Sequence, residues 1–127
     1  FSSTSFELKN DFIKALLSEM NHRADEIRSA RANTVYIGGG TPSQLDISQI
    51  ACIFKELTNI VPLEGGAEVT IECNPDDITI DFIRGLKSTP VNRISLGLQT
   101  LNDKMIERTM SNLQAQLEQK CKAEVRK

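Results

Sequence analysis

Hydrophobic residues along this chain follow two spacings, one typical of helices and one typical of strands. From Phe12 to Met20, apolar side chains recur at helical intervals with charged residues between them, which predicts a first helix within residues 6–30. Residues 34–37 form a short β-branched and aromatic run, which predicts a strand. Two more strand–helix pairs follow, so the predicted order is one helix and then strand–helix three times.

Capping residues and turn formers predict where the later elements begin and end. Asp46 and Gln49 form a capping pair for a helix over 47–59. Thr79 can cap a further helix, in which the residues predicted to face inward are Ile80, Ile83 and Leu86. Pro90 ends the helix that Thr79 caps, because proline lacks a backbone N–H. The other predicted elements are a turn at 63–66, a strand at 68–73 that ends at residues 74–77, a strand at 91–98 and a helix at 103–110. Polar and apolar residues alternate along 68–73, which predicts that only one face of this strand is deeply packed.

Regular alternation of strands and helices predicts an α/β fold with parallel strands joined by right-handed crossovers. Three strands cannot close a barrel, so the pattern fits a segment of a (β/α) barrel or of an open doubly wound sheet. We assign this domain to residues 1–110. Residues 111–127 differ, because an apolar stripe at every fourth position predicts an exposed or partner-seeking helix made by Leu113, Leu117, Cys121 and Val125.

Composition narrows the possible partners of the chain. The 127 residues carry 15 basic and 17 acidic side chains, scattered rather than clustered, which argues against nucleic-acid binding. No apolar run is long enough to span a membrane. The cysteines Cys52, Cys73 and Cys121 are far apart and fit neither a metal motif nor a disulfide framework, which favours a reducing cytoplasm. The start at Phe1, without Met, predicts a piece of a longer protein.

The candidate chemistry lies where the predicted strands end. Gly38, Gly39, Gly40 and Thr41 follow the first strand, Glu72 lies near the end of the second, and Gln99 follows the third. Because carboxyl ends of parallel strands share one edge of a sheet, these groups should face a common crevice. Backbone groups of the glycines could hold the amino-acid end of a ligand. Glu72 could accept hydrogen bonds from ribose hydroxyls, and Gln99 could donate and accept.

Each of these residues also has a purely structural interpretation. The glycines could only make a tight turn, and Glu72 could only pair with a lysine. Gln99 could cap the next helix, and Cys73 could be a small buried hydrophobe. The Asp76–Asp77 pair more often makes a turn or a helix start than a catalytic dyad.

Three stretches resemble, in order and in spacing, consecutive sequence blocks of radical S-adenosylmethionine (SAM) proteins. They are Thr34 to Ser43 (TVYIGGGTPS), Glu68 to Pro75 (EVTIECNP) and Arg93 to Gln99 (RISLGLQ). Within that family, the chain looks most like the oxygen-independent coproporphyrinogen III oxidase-like group and its heme chaperone branch. Three collinear blocks over residues 1–110 make the resemblance specific.

The resemblance implies a partial TIM-type (β/α) barrel that binds SAM and a [4Fe-4S] cluster, which reduces SAM to a 5′-deoxyadenosyl radical. By the same resemblance, Gly39, Gly40 and Thr41 contact the methionine part of SAM and Glu72 contacts its ribose. Gln99 matches the glutamine of the third block. Heme or a porphyrin is a further candidate partner. The alternatives are a true coproporphyrinogen oxidase fragment, or a non-catalytic interaction module on the same scaffold.

The chain departs from the family pattern at both ends. The Cys-x3-Cys-x2-Cys motif that holds the cluster is absent, and no cysteine here has that spacing. We therefore expect no metal ligands in this chain and no catalysis by it alone. After Ser111, the family's usual Arg-x-His-like stretch is replaced by an unrelated polar tail.

Overall fold

The computed structural model describes residues 6–28 and 31–97, together with the single positions 107, 110, 111 and 114. The helices and strands in that part of the chain are α1 (Phe6–His22), α2 (Ala24–Ile27), β1 (Ala32–Ile37), α3 (Ile47–Ile60), β2 (Leu63–Cys73), α4 (Ile80–Leu86) and β3 (Arg93–Leu96). Short 3₁₀ turns follow β1 at Pro42–Gln44 and β2 at Pro75–Asp77.

The three strands form one parallel sheet in the order β1-β2-β3. Tyr36 lies beside Thr70, and Glu72 lies beside Ser95, so the side chains of these four residues share one face of the sheet. The predicted α/β fold with parallel (β/α) units is confirmed. In the described residues the sheet is open, as expected for too few strands to close a barrel.

The hydrophobic core lies between the other face of the sheet and helices α3 and α4. From β2 it takes the alternating residues Val69, Ile71 and Cys73, each at most 4% exposed. The helices contribute Ile50, Phe54, Phe82 and Leu86. Phe82 was not among the residues predicted to face inward from α4, which were Ile80, Ile83 and Leu86. Burial of Cys73 agrees with its interpretation as a small hydrophobe.

Two of the capping predictions are confirmed. The Asp46 N–H donates to Gln49 Oε1 at 3.0 Å as α3 begins, and Thr79 Oγ1 accepts from the Phe82 N–H at 3.1 Å as α4 begins. Gln49 Nε2 also donates to Asn10 Oδ1 at 2.7 Å, which ties α1 to α3. Residues 74–77, predicted to end the second strand, contain a 3₁₀ turn over Pro75–Asp77, before which Asn74 Oδ1 accepts from the Asp76 N–H.

The prediction of a turn at residues 63–66 was wrong in its element type. These residues belong to β2, because Ala32 of β1 already pairs with Leu63. The next pair is Thr34 with Glu68. A step of two residues along β1 therefore matches a step of five along β2, so the pairing of the two strands is irregular there. Gly66, with φ of +85°, takes up the distortion. The glycines therefore mark an irregularity inside a strand rather than a connection between elements.

Burial on β2 also differs from the one-sided pattern that its alternation predicted. Thr70, on the face opposite the core, is only 1% exposed. Its strand partners Tyr36 and Arg93 lie on either side of it on that face, and their longer side chains can cover it.

Several predictions fall outside the described residues. They include Gln99, most of the helix at 103–110 and the apolar stripe of the tail, and they remain predictions. Among the helices that the structure does describe, none has the length and apolar character needed to cross a membrane.

Candidate functional site

A carboxylate and a glycine loop meet at the carboxyl end of the sheet. Glu72, one residue before the end of β2, accepts a hydrogen bond from the Gly39 N–H through Oε2 at 3.1 Å. The loop can turn toward it because Gly39 and Gly40 have φ values of +84° and +63°, which other residues rarely adopt. Two of the components predicted for this crevice, the glycine loop and Glu72, therefore lie together, and the third, Gln99, lies outside the described residues.

Glu72 has a second partner that lies on the neighbouring strand. The Tyr36 hydroxyl donates to Glu72 Oε1 at 2.6 Å, a short bond to a charged acceptor. The Tyr36 hydrogen bond, and then the Gly39 N–H, lower the pKa of Glu72, because both favour the ionised carboxylate. The same hydrogen bond raises the pKa of Tyr36. Neither partner is a lysine, so the structural interpretation of Glu72 as a lysine partner does not describe this contact.

Gly38 leaves the space in which this pair forms. A Cβ atom at that position would lie 2.7 Å from Tyr36 Cε1 and 3.0 Å from both Cδ and Oε2 of Glu72. These separations are shorter than normal contacts, so any larger residue would displace one of the two side chains. The three glycines thus have different functions. Gly38 leaves room for the Tyr36 and Glu72 side chains, and Gly39 and Gly40 adopt the positive φ values of the loop.

A second link joins the loops that follow β1 and β2. Ser43 is 6% exposed, and its hydroxyl donates to Asp77 Oδ2 at 2.6 Å. The same oxygen accepts from the Asn74 N–H at 3.0 Å. Because Ser43 follows Thr41 and Pro42, these bonds fix the exit of the glycine loop against the end of β2.

An apolar cavity lies beside the glycine loop. It has a volume of about 570 Å³, is partly open to solvent and is lined by α1, β1, the loop and α3. Its walls include Phe12, Leu16 and Met20 from α1 and Leu57 from α3, with Gly38 to Thr41 along one side. Lys9, at its margin, donates to the Gln44 carbonyl at 2.8 Å and so holds the start of α1 near the loop.

The described cysteines do not form a site for an iron–sulfur cluster, which needs several thiolates held close together. Cys52 is exposed on α3, and Cys73 is buried in the core. Burial, followed by the nearby charge of Asp77, raises the pKa of Cys73 to about 11, so this thiol is protonated at neutral pH. No group of three or more metal-ligating side chains occurs among the residues that the structure describes.

Two residues of the site were missed by the sequence analysis. Tyr36 was assigned only to the strand, although it precedes Gly38 by two positions and therefore shares its face of the sheet. That spacing was a signal which could have identified it. Ser43 had no comparable signal, because its partners Asn74 and Asp77 are more than 30 residues away in the sequence.

Comparisons with known proteins agree with this architecture. Residues 5–122 match the model of the Radical SAM superfamily. The structure of coproporphyrinogen III oxidase (HemN) from Escherichia coli, described as a radical SAM enzyme, is similar with a TM-score of 0.73 and 29% identity. That match covers 80% of this chain and 24% of the oxidase.

Heme chaperones and coproporphyrinogen oxidases are among the curated relatives of this chain. Heme chaperone HemW of Lactococcus lactis is 40% identical over 76% of this chain and 24% of its own length. HemW of Buchnera aphidicola (from Schizaphis graminum) is 33% identical over 91% of this chain and 31% of its own length. Oxygen-independent coproporphyrinogen III oxidase of Escherichia coli is 31% identical over 83% of this chain and 23% of its own length.

The chain thus spans between about a quarter and a third of the length of these relatives. The predicted resemblance to HemW-type sequences is confirmed, and the oxidase alternative is not favoured over it. In the parent family, SAM and a [4Fe-4S] cluster are the expected cofactors. With a parallel (β/α) sheet, a glycine loop at its carboxyl end and a matched domain model over most of its length, this chain belongs to the radical SAM superfamily.

Proposed function

We propose that this chain supplies one side of the SAM site in a radical SAM protein of the HemW type. The observation that supports this most directly is the Glu72 carboxylate, held against the glycine loop by the Gly39 N–H at 3.1 Å. The Glu72 carboxylate, which can bind hydroxyls, therefore lies beside the glycine loop, whose backbone a ligand can approach closely. SAM needs both, because it carries a ribose diol and an amino-acid end.

The proposed contacts divide between the two components. Backbone groups of Gly38, Gly39 and Gly40, with Thr41, bind the methionine end of SAM. Glu72 accepts hydrogen bonds from the ribose hydroxyls, using the lone pairs that Tyr36 and Gly39 leave free. Gln99, outside the described residues, is proposed as a further SAM contact because it ends the third sequence block.

The [4Fe-4S] cluster of the family supplies the electron that cleaves SAM when it is bound. The described cysteines do not fit it, so we assign its ligands to no residue of this part of the chain. We therefore expect the 127-residue chain to bind SAM without cleaving it.

Isothermal titration of the chain with SAM tests this proposal. Glu72→Gln should weaken binding by about tenfold or more, since hydrogen bonds to a charged acceptor are among the stronger ones. Glu68→Gln is the matched control, because Glu68 lies four residues earlier on the same face of β2 and pairs instead with Arg93 at 2.6 Å. Absence of SAM binding by the wild-type chain, or equal binding by Glu72→Gln, would overturn the proposal.

For the whole protein, we propose heme handling of the kind that the HemW relatives' name describes. The full-length protein should then transfer heme to an acceptor and should not decarboxylate coproporphyrinogen III. The opposite result would favour the oxidase. Free thiols at Cys52 and Cys73 fit a reducing compartment, and we propose the cytoplasm. The interaction-module alternative predicts self-association that Leu117→Glu abolishes, without SAM binding.

A further inference from the structure

We propose that Tyr36 is a positioning residue, which holds the Glu72 carboxylate against the glycine loop and determines which of its lone pairs a ligand can reach. This inference rests on the proposed function, because it concerns the same carboxylate. It adds a residue of β1, two positions before Gly38, to which the sequence resemblance assigned no role, and it adds a reason for Gly38.

The register of the sheet brings Tyr36 to this position. Tyr36 pairs with Thr70, so its side chain leaves the sheet on the same face as Glu72, two residues further along β2. The long phenol ring spans this diagonal, and its hydroxyl reaches Glu72 Oε1 at 2.6 Å. A phenylalanine would cover the same area without making that bond.

Two donors on different oxygens fix the plane of the carboxylate. Tyr36 binds Oε1 and the Gly39 N–H binds Oε2, so rotation of the carboxyl group would break at least one bond. Each oxygen keeps a second lone pair for a ligand hydroxyl. Preorganisation of this kind improves binding by reducing the loss of side-chain freedom when the ligand arrives.

The charged side chains of Arg93 and Lys9 bind groups other than the Glu72 carboxylate. On the same face, Arg93 of β3 is paired with Glu68 of β2 at 2.6 Å, and Ser95 lies beside Glu72. From the helical side, Lys9 of α1 donates to the Gln44 carbonyl. Lys9 and Arg93 are thus each bonded to another acceptor. The Glu72 hydrogen bond raises the pKa of Tyr36, and Ser95 and the charge of Arg93 oppose it.

Ionisation of Tyr36 can be followed by ultraviolet absorbance without interference, because it is the single tyrosine of the chain and the chain contains no tryptophan. Ultraviolet titration of the tyrosinate band therefore reports Tyr36 alone. In the wild-type chain the phenol should titrate at a higher pH than in Glu72→Gln, because the ionised carboxylate stabilises the protonated phenol. Circular dichroism over the same pH range checks that the chain stays folded.

Binding of SAM is then compared for the wild type, Tyr36→Phe and Thr34→Val. Thr34 is an exposed residue two positions earlier on β1, on the same face, so its substitution also removes one hydroxyl. We expect Tyr36→Phe to weaken SAM binding roughly 3- to 10-fold and Thr34→Val to leave it unchanged. We also expect the loss of binding in acid to begin at a higher pH in Tyr36→Phe, because the pKa of Glu72 rises when one donor is removed.

The outcomes separate the two proposals. Suppose that Tyr36→Phe binds SAM as tightly as the wild type and loses binding at the same acidic pH, while Glu72→Gln does not bind. The positioning role of Tyr36 is then wrong, and the proposed SAM site is retained. An unchanged phenol titration in Glu72→Gln would also overturn it. If the wild-type chain fails to bind SAM, the proposed function fails and the ligand-directed role of Tyr36 fails with it.

Discussion

The Ser43 hydroxyl donates to the Asp77 carboxylate at 2.6 Å and so joins the loop after β1 to the turn after β2. The same oxygen accepts from the Asn74 N–H, so one small side chain is bound at two points of the neighbouring loop. These contacts hold the exit of the glycine loop in place. The geometry of the proposed SAM site therefore depends on a residue that need not touch the ligand.

Removal of this link should lower both stability and affinity. We expect Ser43→Ala to reduce the free energy of unfolding by about 1–2 kcal/mol, since it leaves the half-buried Asn74 N–H and the Asp77 carboxylate without their partner. Urea unfolding measures this effect, and SAM titration measures the weaker binding. Ser48→Ala, at an exposed position of α3, is the control and should change neither quantity. Equal unfolding curves for Ser43→Ala and the wild type would refute the structural role of this link.

Gly38→Ala tests whether this glycine makes room for the Tyr36–Glu72 pair. The new Cβ would collide with Tyr36 Cε1 and the Glu72 carboxyl group, which are the outer ends of side chains that can swing away. We therefore expect a small loss of stability, below about 1 kcal/mol, but a clear loss of SAM binding. Gly65→Ala is the control, because a Cβ there meets no atom within 4 Å. Unimpaired SAM binding by Gly38→Ala would show that the pair is dispensable.

Thr70→Val should maintain or increase stability. Thr70 is 1% exposed, and within the described part of the chain its Oγ1 has no hydrogen-bond partner. Valine keeps the shape and removes the cost of a buried unpaired hydroxyl, so the free energy of unfolding should rise by up to about 1 kcal/mol. Chemical denaturation checks this, with the exposed Thr34→Val as the comparison. A destabilised Thr70→Val would mean that the hydroxyl has a partner beyond the described residues.

The Glu72 contacts should also make stability depend on pH. The pKa of Glu72 is below its ordinary value of 4.5, so its ionised form is favoured in the folded chain. The resulting stabilisation is present above that ordinary value and is lost as the pH falls through the lower folded value. Between about pH 6 and about pH 3, wild-type stability should therefore fall more than that of Glu72→Gln. Parallel pH profiles for the two proteins would argue that the folded chain does not favour the carboxylate.

Elements that depend on neighbouring residues could be predicted from the sequence. The Asp46–Gln49 and Thr79–Phe82 caps join positions three residues apart, so the pattern that predicts them also contains both partners. The parallel α/β order follows similarly from the alternation of short apolar runs with helical ones. Even the family could be identified at this level, because its three glycine, glutamate and glutamine blocks are contiguous stretches of sequence.

The tertiary structure decided which groups act together. Tyr36 and Glu72 are 36 residues apart, and they meet only because a parallel register places them on one face of the sheet. That register is set after an irregular stretch of β2, where residues 63–66 were predicted as a turn. A shift of one residue would turn Glu72 away from the glycine loop. The sequence by itself determined the elements and the family, whereas the register and packing of the strands determined the carboxylate's partners, because contacts between distant segments depend on how the whole sheet assembles.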